Sequence, residues 1–277
     1  MPASIQTAHL FQRGSDSRNR FYAWFPSLHT RVDVMLISAL GEASLNAVVA
    51  EVRNALSRLE LLANRFNPQS QLAEVNRDAA RHPVIVNQEL IRMLSLSKEY
   101  YRLTDQLFDI AFLSTHLPGQ PAIDDLLLGD SCDVSFRRDG ILLDLSGFLK
   151  GYALETIRRL LNRHHIADAL VSLGNSSIMA LGNQTNEGNG WTMNVGSGIL
   201  TLHDECLSTS GNSNPNHRHI INPQTGVFVE GHRSVSVVTA NGIEGEVLST
   251  AFFIADSEQQ QRLNERFHVR SFTYYPQ

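Results

Sequence analysis

Between Ala169 and Thr239 the chain is a succession of short apolar runs separated by Gly- and Asn-rich turns. The runs Ala169–Leu173, Ser177–Leu181, Trp191–Val195, Ile199–Leu202, Cys206–Ser208, His219–Ile221 and Val235–Thr239 read as strands. The opposite pattern precedes them. Leu45, Val48, Val49, Val52, Leu56, Leu59, Leu62 and Phe66 recur at three- and four-residue steps, the apolar stripe of one long helix that stops at Asn67-Pro68. Asn87 caps a second helix with Leu90, Ile91, Leu94 and Tyr101 on its inner side. Helices over Glu246–Ala255 and Ser257–Phe267 and a strand over Ser271–Tyr275 close the chain. Long helices mixed with runs of strands, without regular strand–helix alternation, argue for an α+β fold.

The connecting segments carry weaker signals. Residues 1–18 read as a loose arm, and Phe21–Phe25 and Val32–Ile37 as strands joined by a Pro26-Ser27 turn. Residues 114–132, rich in Pro, Gly and Asp, are the best place for an internal subdomain boundary. Val134–Phe136 and Ile141–Leu145 flank Arg138-Asp-Gly140 as a hairpin.

Composition narrows the function classes. With 277 residues, 42% of them hydrophobic, the chain can bury a full core, and a net charge of −5 argues against sequence-independent nucleic-acid binding. Cys132 and Cys206 have no metal-knuckle spacing and read as free, buried thiols. The polar start has no secretory apolar core, and no run is long enough to span a bilayer, so the expected location is the cytoplasm.

Four segments carry chemistry-bearing residues. Leu142-Leu-Asp-Leu-Ser-Gly-Phe-Leu-Lys-Gly-Tyr-Ala-Leu-Glu155 runs from an apolar strand through a turn into an amphipathic helix, with Ser146 as N-cap, Lys150 one turn in and Asp144 at the strand end. Such a junction can hold phosphate on its helix-end N–H groups. Taken alone, it is better read as an ordinary strand–helix connection. In Ser208–Gly226, two histidines, His217 and His219, form an H-x-H pair, but no third ligand accompanies them, which disfavours zinc. Glu246 and Thr250 are four apart, on one helix face, a carboxylate and a hydroxyl suited to Mg²⁺. By themselves they are better read as an ordinary helix start, a Glu favoured by the helix dipole with Thr packing sideways. Ala169–Gly182 is a hairpin turning at Gly174-Asn175.

In their order and spacing these segments resemble the ApbE family, the FAD:protein FMN transferases. Asp144-Leu-Ser-Gly-Phe-Leu-Lys-Gly-Tyr-Ala153 is similar to the family's D-L-G-G-x-A-K-G-Y-A, and Ala169–Ser176 to its A-L-V-N-L-G-G-N hairpin. Ser208-Thr-Ser-Gly211 and His219-Ile-Ile-Asn-Pro-Gln-Thr-Gly226 are similar to S-T-S-G and H-I-I-D-P-x-T-G. Glu246-Val-Leu-Ser-Thr-Ala251 follows D-A-L-A-T-A. Upstream, Asn64–Asn76 and Asp105–Ile110 resemble S-x-Y-x-P-x-S-E-L-S-x-L-N and D-G-A-F-D-P.

The resemblance implies a single ApbE-like domain, related to the T-fold, of antiparallel sheets packed with helices. It implies a Mg²⁺-dependent transferase. A threonine hydroxyl of a target protein attacks the FMN-side phosphorus of FAD and AMP leaves, or water attacks instead and FAD is hydrolysed to FMN and AMP. By the same resemblance His219 is catalytic. Phe66, Leu107, Phe108, Asp109, Asp144, Lys150, Gly174, Asn175 and Thr209 line the flavin nucleotide with His219. The Gly147 carbonyl, Glu246 and Thr250 hold the metal. The chain departs from the pattern at Glu246 and Asn222, where the family has Asp, at Asn175, where it has Gly, and at Phe66, where it has Tyr. Those departures set up the competing expectation, a flavin-binding homologue without transferase activity.

Overall fold

The structure, a computed structural model, describes residues 8–14, 18–115, 122–195, 198–212 and 220–274. Its frame is an eight-stranded sheet in which every pairing is antiparallel. The chain enters through β1 (Ala8–Gln12), β2 (Asn19–Ser27) and β3 (Thr30–Ser38). It leaves the sheet for α1 (Glu42–Ala63), α2 (Gln71–Asp78), β4 (Val84–Ile85), α3 (Gln88–Leu103), β5 (Leu126–Leu128), β6 (Asp133–Phe136) and α4 (Ser146–Arg163). It returns through β7 (Asp168–Leu173) and β8 (Ser177–Leu181), makes the hairpin β9 (Trp191–Val195) and β10 (Gly198–Leu202), and continues as β11 (Glu205–Gly211). The short pair β12 (Ile221–Asn222) and β13 (Val227–Phe228) precedes β14 (Ser234–Thr239), α5 (Gly242–Ile254), α6 (Ser257–Phe267) and β15 (Arg270–Tyr274). Strand order is β1-β2-β3-β7-β8-β11-β14-β15, and β4, β6 and β5 form a separate small sheet.

Alternation decides the faces of the large sheet. Phe21, Ala23 and Phe25 on β2 and Val32, Val34 and Leu36 on β3 are buried with the stripe of α1, Leu45 to Leu62, and with Phe148, Tyr152 and Ile157 of α4. Each of the Phe, Val, Leu and Ile side chains among them contributes about 1.5–3 kcal/mol on removal from water. The opposite face buries Ile37, Ala180, Leu207 and Val238 under Trp191 and Leu202 of the β9–β10 hairpin. Helices are therefore needed on one face, while a two-stranded flap covers part of the other.

Several expectations change. Ala8–Gln12 is not part of a loose arm; it pairs with β2, and His9 stacks on Phe21 at 5.0 Å. The first hairpin turns two residues later than Pro26-Ser27, at Leu28-His29, both with positive φ (50° and 57°). Non-glycine residues resist that conformation. α1 holds it here: Glu60 Oε1 accepts from Leu28 N at 2.7 Å, and Asn64 Nδ2 meets His29 Nε2 at 3.0 Å. Within 114–132, Ala122, Ile123 and Leu126 enter the same core as α1.

Ile141–Leu145 makes no hairpin with β6 and joins no sheet. Its backbone is paired mainly by side chains instead, with Asp144 N donating to Ile110 O at 2.7 Å. Asn76 accepts from Leu143 N at 2.8 Å and donates to Leu143 O at 2.9 Å, and Ser114 Oγ accepts from Leu142 N at 2.9 Å. The N-cap of α4 is Leu145, not Ser146, and Asp144 Oδ1 accepts from Ser146 N at 2.8 Å. Cys206 is buried, and burial pushes its thiol up to about 12, whereas Cys132 is only half-buried.

The placement of α4 against α5 depends on two glycines. A Cβ on Gly151 would sit 2.3 Å from Gly242 O and 2.8 Å from Glu246 Cγ. Gly245 likewise lets α5 approach the sheet, since a Cβ there would lie 2.8 Å from Ser208 Oγ. Gly151→Ala is expected to lower the urea midpoint, by a loss of about 1–3 kcal/mol typical of overpacking. An unchanged midpoint would show that the two helices can part freely.

Candidate functional site

The close crossing of α4 and α5 opens onto a cleft of about 470 Å³. Its wall takes Leu107, Phe108, Asp109 and Phe112 from the loop after α3, and Asp144, Ser146, Gly147 and Lys150 from the start of α4. Ser176 comes from the β7–β8 turn, Thr209 to Gly211 from β11, and Ile220, Ile221 and Pro223 from the region of β12. Glu246, Thr250 and Ile254 of α5 complete it. A second cavity of about 440 Å³ adjoins it, sharing Ser146 and Lys150, and is lined by Leu28, His29, Glu60, Ala63, Asn64, Phe66 and Leu149. Lys150 thus lines both cavities.

Each wall has a local reason for its shape. Thr104 folds the 104–109 loop, its carbonyl accepting from Leu107 N at 3.0 Å and its hydroxyl from Phe108 N at 3.1 Å. Asp105 pins that loop to α6, with Arg266 at 2.8 Å and Arg262 at 3.4 Å. Gln224 Nε2 donates to Asp105 O at 2.9 Å, tying the β12–β13 turn to the same loop. Asp144 is 9% exposed; Arg65 Nε donates to its Oδ2 at 2.7 Å while its Oδ1 holds Ser146 N. Thr209 N donates to Ser176 O at 2.7 Å, and Thr209 Oγ1 and Ser236 Oγ are 2.7 Å apart.

Glu246 is the buried charge of the site. Ser177 donates to its Oε1, and Lys150 Nζ lies 3.8 Å from the same oxygen. Lys150 also donates to Ser176. Burial raises the Glu246 carboxyl above the ordinary 4.5, against the opposing pull of Lys150 and the Ser177 hydroxyl. One turn on, Thr250 Oγ1 donates to Glu246 O at 3.3 Å and meets Ser210 Oγ at 3.1 Å, which in turn meets Ser249 Oγ at 2.8 Å. The cleft lining carries three carboxylates, Asp109, Asp144 and Glu246, and one ammonium, Lys150, with Arg65 pairing Asp144.

Of the residues singled out from sequence, Leu107, Phe108, Asp109, Asp144, Gly147, Lys150, Thr209, Glu246 and Thr250 converge on the larger cleft. Phe66 lies instead on the smaller cavity, 66% exposed. Gly174 and Asn175 form the β7–β8 turn with φ of 66° and 62°, and it is their neighbour Ser176 that lines the cleft. Asn222 Oδ1 accepts from Gln224 N at 2.9 Å, a local turn bond that Asp can make equally well. His217 and His219 lie outside the described residues. Sequence reasoning missed Phe112, Ser176, Ser177 and Arg65. Ser177 carried a faint signal, as a hydroxyl at an inward position of an apolar strand.

A third cavity, of about 430 Å³, lies among Arg13, Arg18, Arg20 and Gln184–Asn186, near the opposite ends of β7 and β8. Arg18 there already bonds Asp168 at 2.8 Å and Asn183 O at 3.0 Å. Among the described residues no group of three or more His, Cys, Asp or Glu could hold a metal, and no helix is long and apolar enough to cross a membrane.

The sheet order and the helices packed on one of its faces define an α+β architecture shared with solved flavin transferases. The structure superimposes on flavin transferase ApbE from Vibrio cholerae with a TM-score of 0.79 at 16% identity, covering 97% of this chain and 94% of that one. On the flavinyl transferase ApbE of Pseudomonas stutzeri in its apo form the TM-score is 0.79 at 17% identity, over 98% and 92%. The ApbE family model matches residues 28–272, and the chain belongs to the ApbE family. Among curated relatives, an FAD:protein FMN transferase of Klebsiella pneumoniae (strain 342) is 23% identical over 245 residues, 75% of each protein. One of Treponema pallidum (strain Nichols) is 24% identical over 284 residues, covering 84% of this chain and 78% of that protein.

The buried carboxylate gives a pH prediction. With its folded value raised, Glu246 binds its proton more tightly in the native state than in the unfolded one. The contribution of Glu246 to metal-free stability should therefore be greatest below the ordinary value of 4.5 and be lost as pH rises through the folded value. Glu246→Gln should remove that fall and melt higher than the parent at neutral pH. A parent and variant with parallel melting curves across pH would contradict it.

Proposed function

We propose that this chain is an FAD:protein FMN transferase. The supporting observation is that Asp109, Asp144, Lys150, Thr209, Glu246 and Thr250, drawn from separate segments, meet on one cleft whose smaller neighbour shares Lys150. In this reading FAD lies with its diphosphate at Lys150 and the first N–H groups of α4, a helix with no acidic residue in its first turn. Its two ends then extend into the two compartments. Phe66 offers an exposed ring to one of them.

Mg²⁺ fits the donor set. Gly147, Glu246 and Thr250 line the same cleft and carry hard oxygens, a carbonyl, a carboxylate and a hydroxyl, and Mg²⁺ is commonly held by few protein oxygens plus substrate phosphate and water. Bound there, it would supply charge stabilisation on the phosphoryl oxygens. The chain's own residues do the rest. Lys150 pairs with diphosphate, and the 104–109 loop, held by Asp105, closes one side. His219 takes the proton of the acceptor hydroxyl. A threonine Oγ of a flavin-accepting protein forms the new bond to the FMN-side phosphorus, the bond to the AMP oxygen breaks, and AMP leaves with that electron pair. With water in place of threonine, the same attack gives FMN and AMP.

The impaired-homologue reading is the weaker one. Glu246, one methylene longer than the family's Asp, is accommodated: Ser177 receives its carboxylate and Gly151 makes room for its stem. Incubation with FAD, Mg²⁺ and an acceptor peptide should release AMP, and His219→Ala should lower the rate by about 10²–10⁴-fold. AMP release no greater than in that variant, with or without peptide, would refute the proposal.

A further inference from the structure

We infer that Arg65 is a positioning residue for FAD, fixing Phe66 and Asp144 as one unit across the boundary between the two cavities. The inference rests on the reading of the cleft as an FAD site. Arg65 follows the end of α1 by two residues. Its Nε donates to Asp144 Oδ2 at 2.7 Å, and its guanidinium carbon lies 4.0 Å from the centroid of the Phe66 ring. Asp144 lines the larger cleft and Phe66 the smaller cavity, and both cavities share Ser146 and Lys150. One planar group therefore spans from an aromatic ring in one compartment to a carboxylate in the other.

Two physical consequences follow. Asp144 is nearly buried, and without a cation beside it a carboxylate there would repel the diphosphate that Lys150 attracts. Phe66 is 66% exposed, and an exposed ring with nothing beside it samples several rotamers. Stacking on the guanidinium removes that freedom before the ligand arrives, which saves ordering cost on binding. Both effects act on ligand affinity through other residues. Neither touches the reacting phosphorus. Lysine at this place keeps the charge and loses the planar stack.

The test is a flavin-fluorescence titration with FAD beside the rate of AMP release at saturating FAD. Arg65→Ala should raise Kd by about tenfold and leave kcat within about twofold. Arg65→Lys, the milder change, should give an intermediate Kd. Adding Asp144→Asn to Arg65→Ala should cost less than the product of the two single effects. A Kd for both Arg65 variants equal to the parent's, a loss confined to kcat, or multiplicative effects with Asp144→Asn would overturn the inference while leaving the FAD site standing. A parent chain that neither quenches FAD fluorescence nor releases AMP would overturn the site reading and this inference together.

Discussion

The contact on which the site depends is the crossing of α4 and α5 at Gly151 and Gly242. A Cβ on Gly151 would sit 2.3 Å from Gly242 O, which excludes a side chain, and one on Gly242 would meet Gly151 O at a tight 3.0 Å. Because the helices touch there, Lys150, next to Gly151, comes within 3.8 Å of Glu246, one turn beyond Gly242. Move either helix outward by the width of a methyl group and the ammonium and the buried carboxylate part. The Lys-Gly-Tyr sequence is thus one device: the lysine supplies charge, the glycine supplies proximity, and Tyr152, buried against Phe148 at 6.0 Å between ring centroids, anchors the helix to the core.

Around that contact the fold trades stability for function at identifiable places. Glu246 is buried as a potential charge, and one lysine and one serine offset its desolvation. Leu28 and His29 hold a left-handed turn beside the smaller cavity, supported from outside by Glu60 and Asn64. The strand-like approach to α4 takes its hydrogen bonds from Asn76 and Ser114 rather than from a neighbouring strand. That leaves Asp144 and the first turn of α4 at an open wall instead of inside a sheet.

Much of this was legible in the sequence. The stripe from Leu45 to Leu62 is α1, because burial on one face imposes a period that single residues reveal, and the apolar runs from Ala169 to Thr239 fall on strands of antiparallel sheet except at His219–Ile221, where the strand is Ile221–Asn222 and His219 lies outside the described residues. The convergence of Lys150, Glu246 and Thr250 was legible only through the ordered resemblance, since local spacing cannot bring residues a hundred positions apart together. What escaped was set by tertiary partners. Leu142–Leu145 looks like a strand, but strands need a backbone neighbour and this one has side chains. Ser146 looks like an N-cap, yet the carboxylate of Asp144 takes the N–H instead. Ser177 and Arg65 could not be assigned, because each matters only through a distant carboxylate.

The central claim is that Lys150 marks where a dinucleotide's diphosphate rests between two compartments. A crystal structure of the complex with FAD tests it most directly. The diphosphate should lie within hydrogen-bonding distance of Lys150 Nζ and of the first N–H groups of α4, with the flavin and adenine ends in the two cavities. A diphosphate out of reach of Lys150, or one seated among Arg13, Arg18 and Arg20 at the far ends of β7 and β8, would contradict the account.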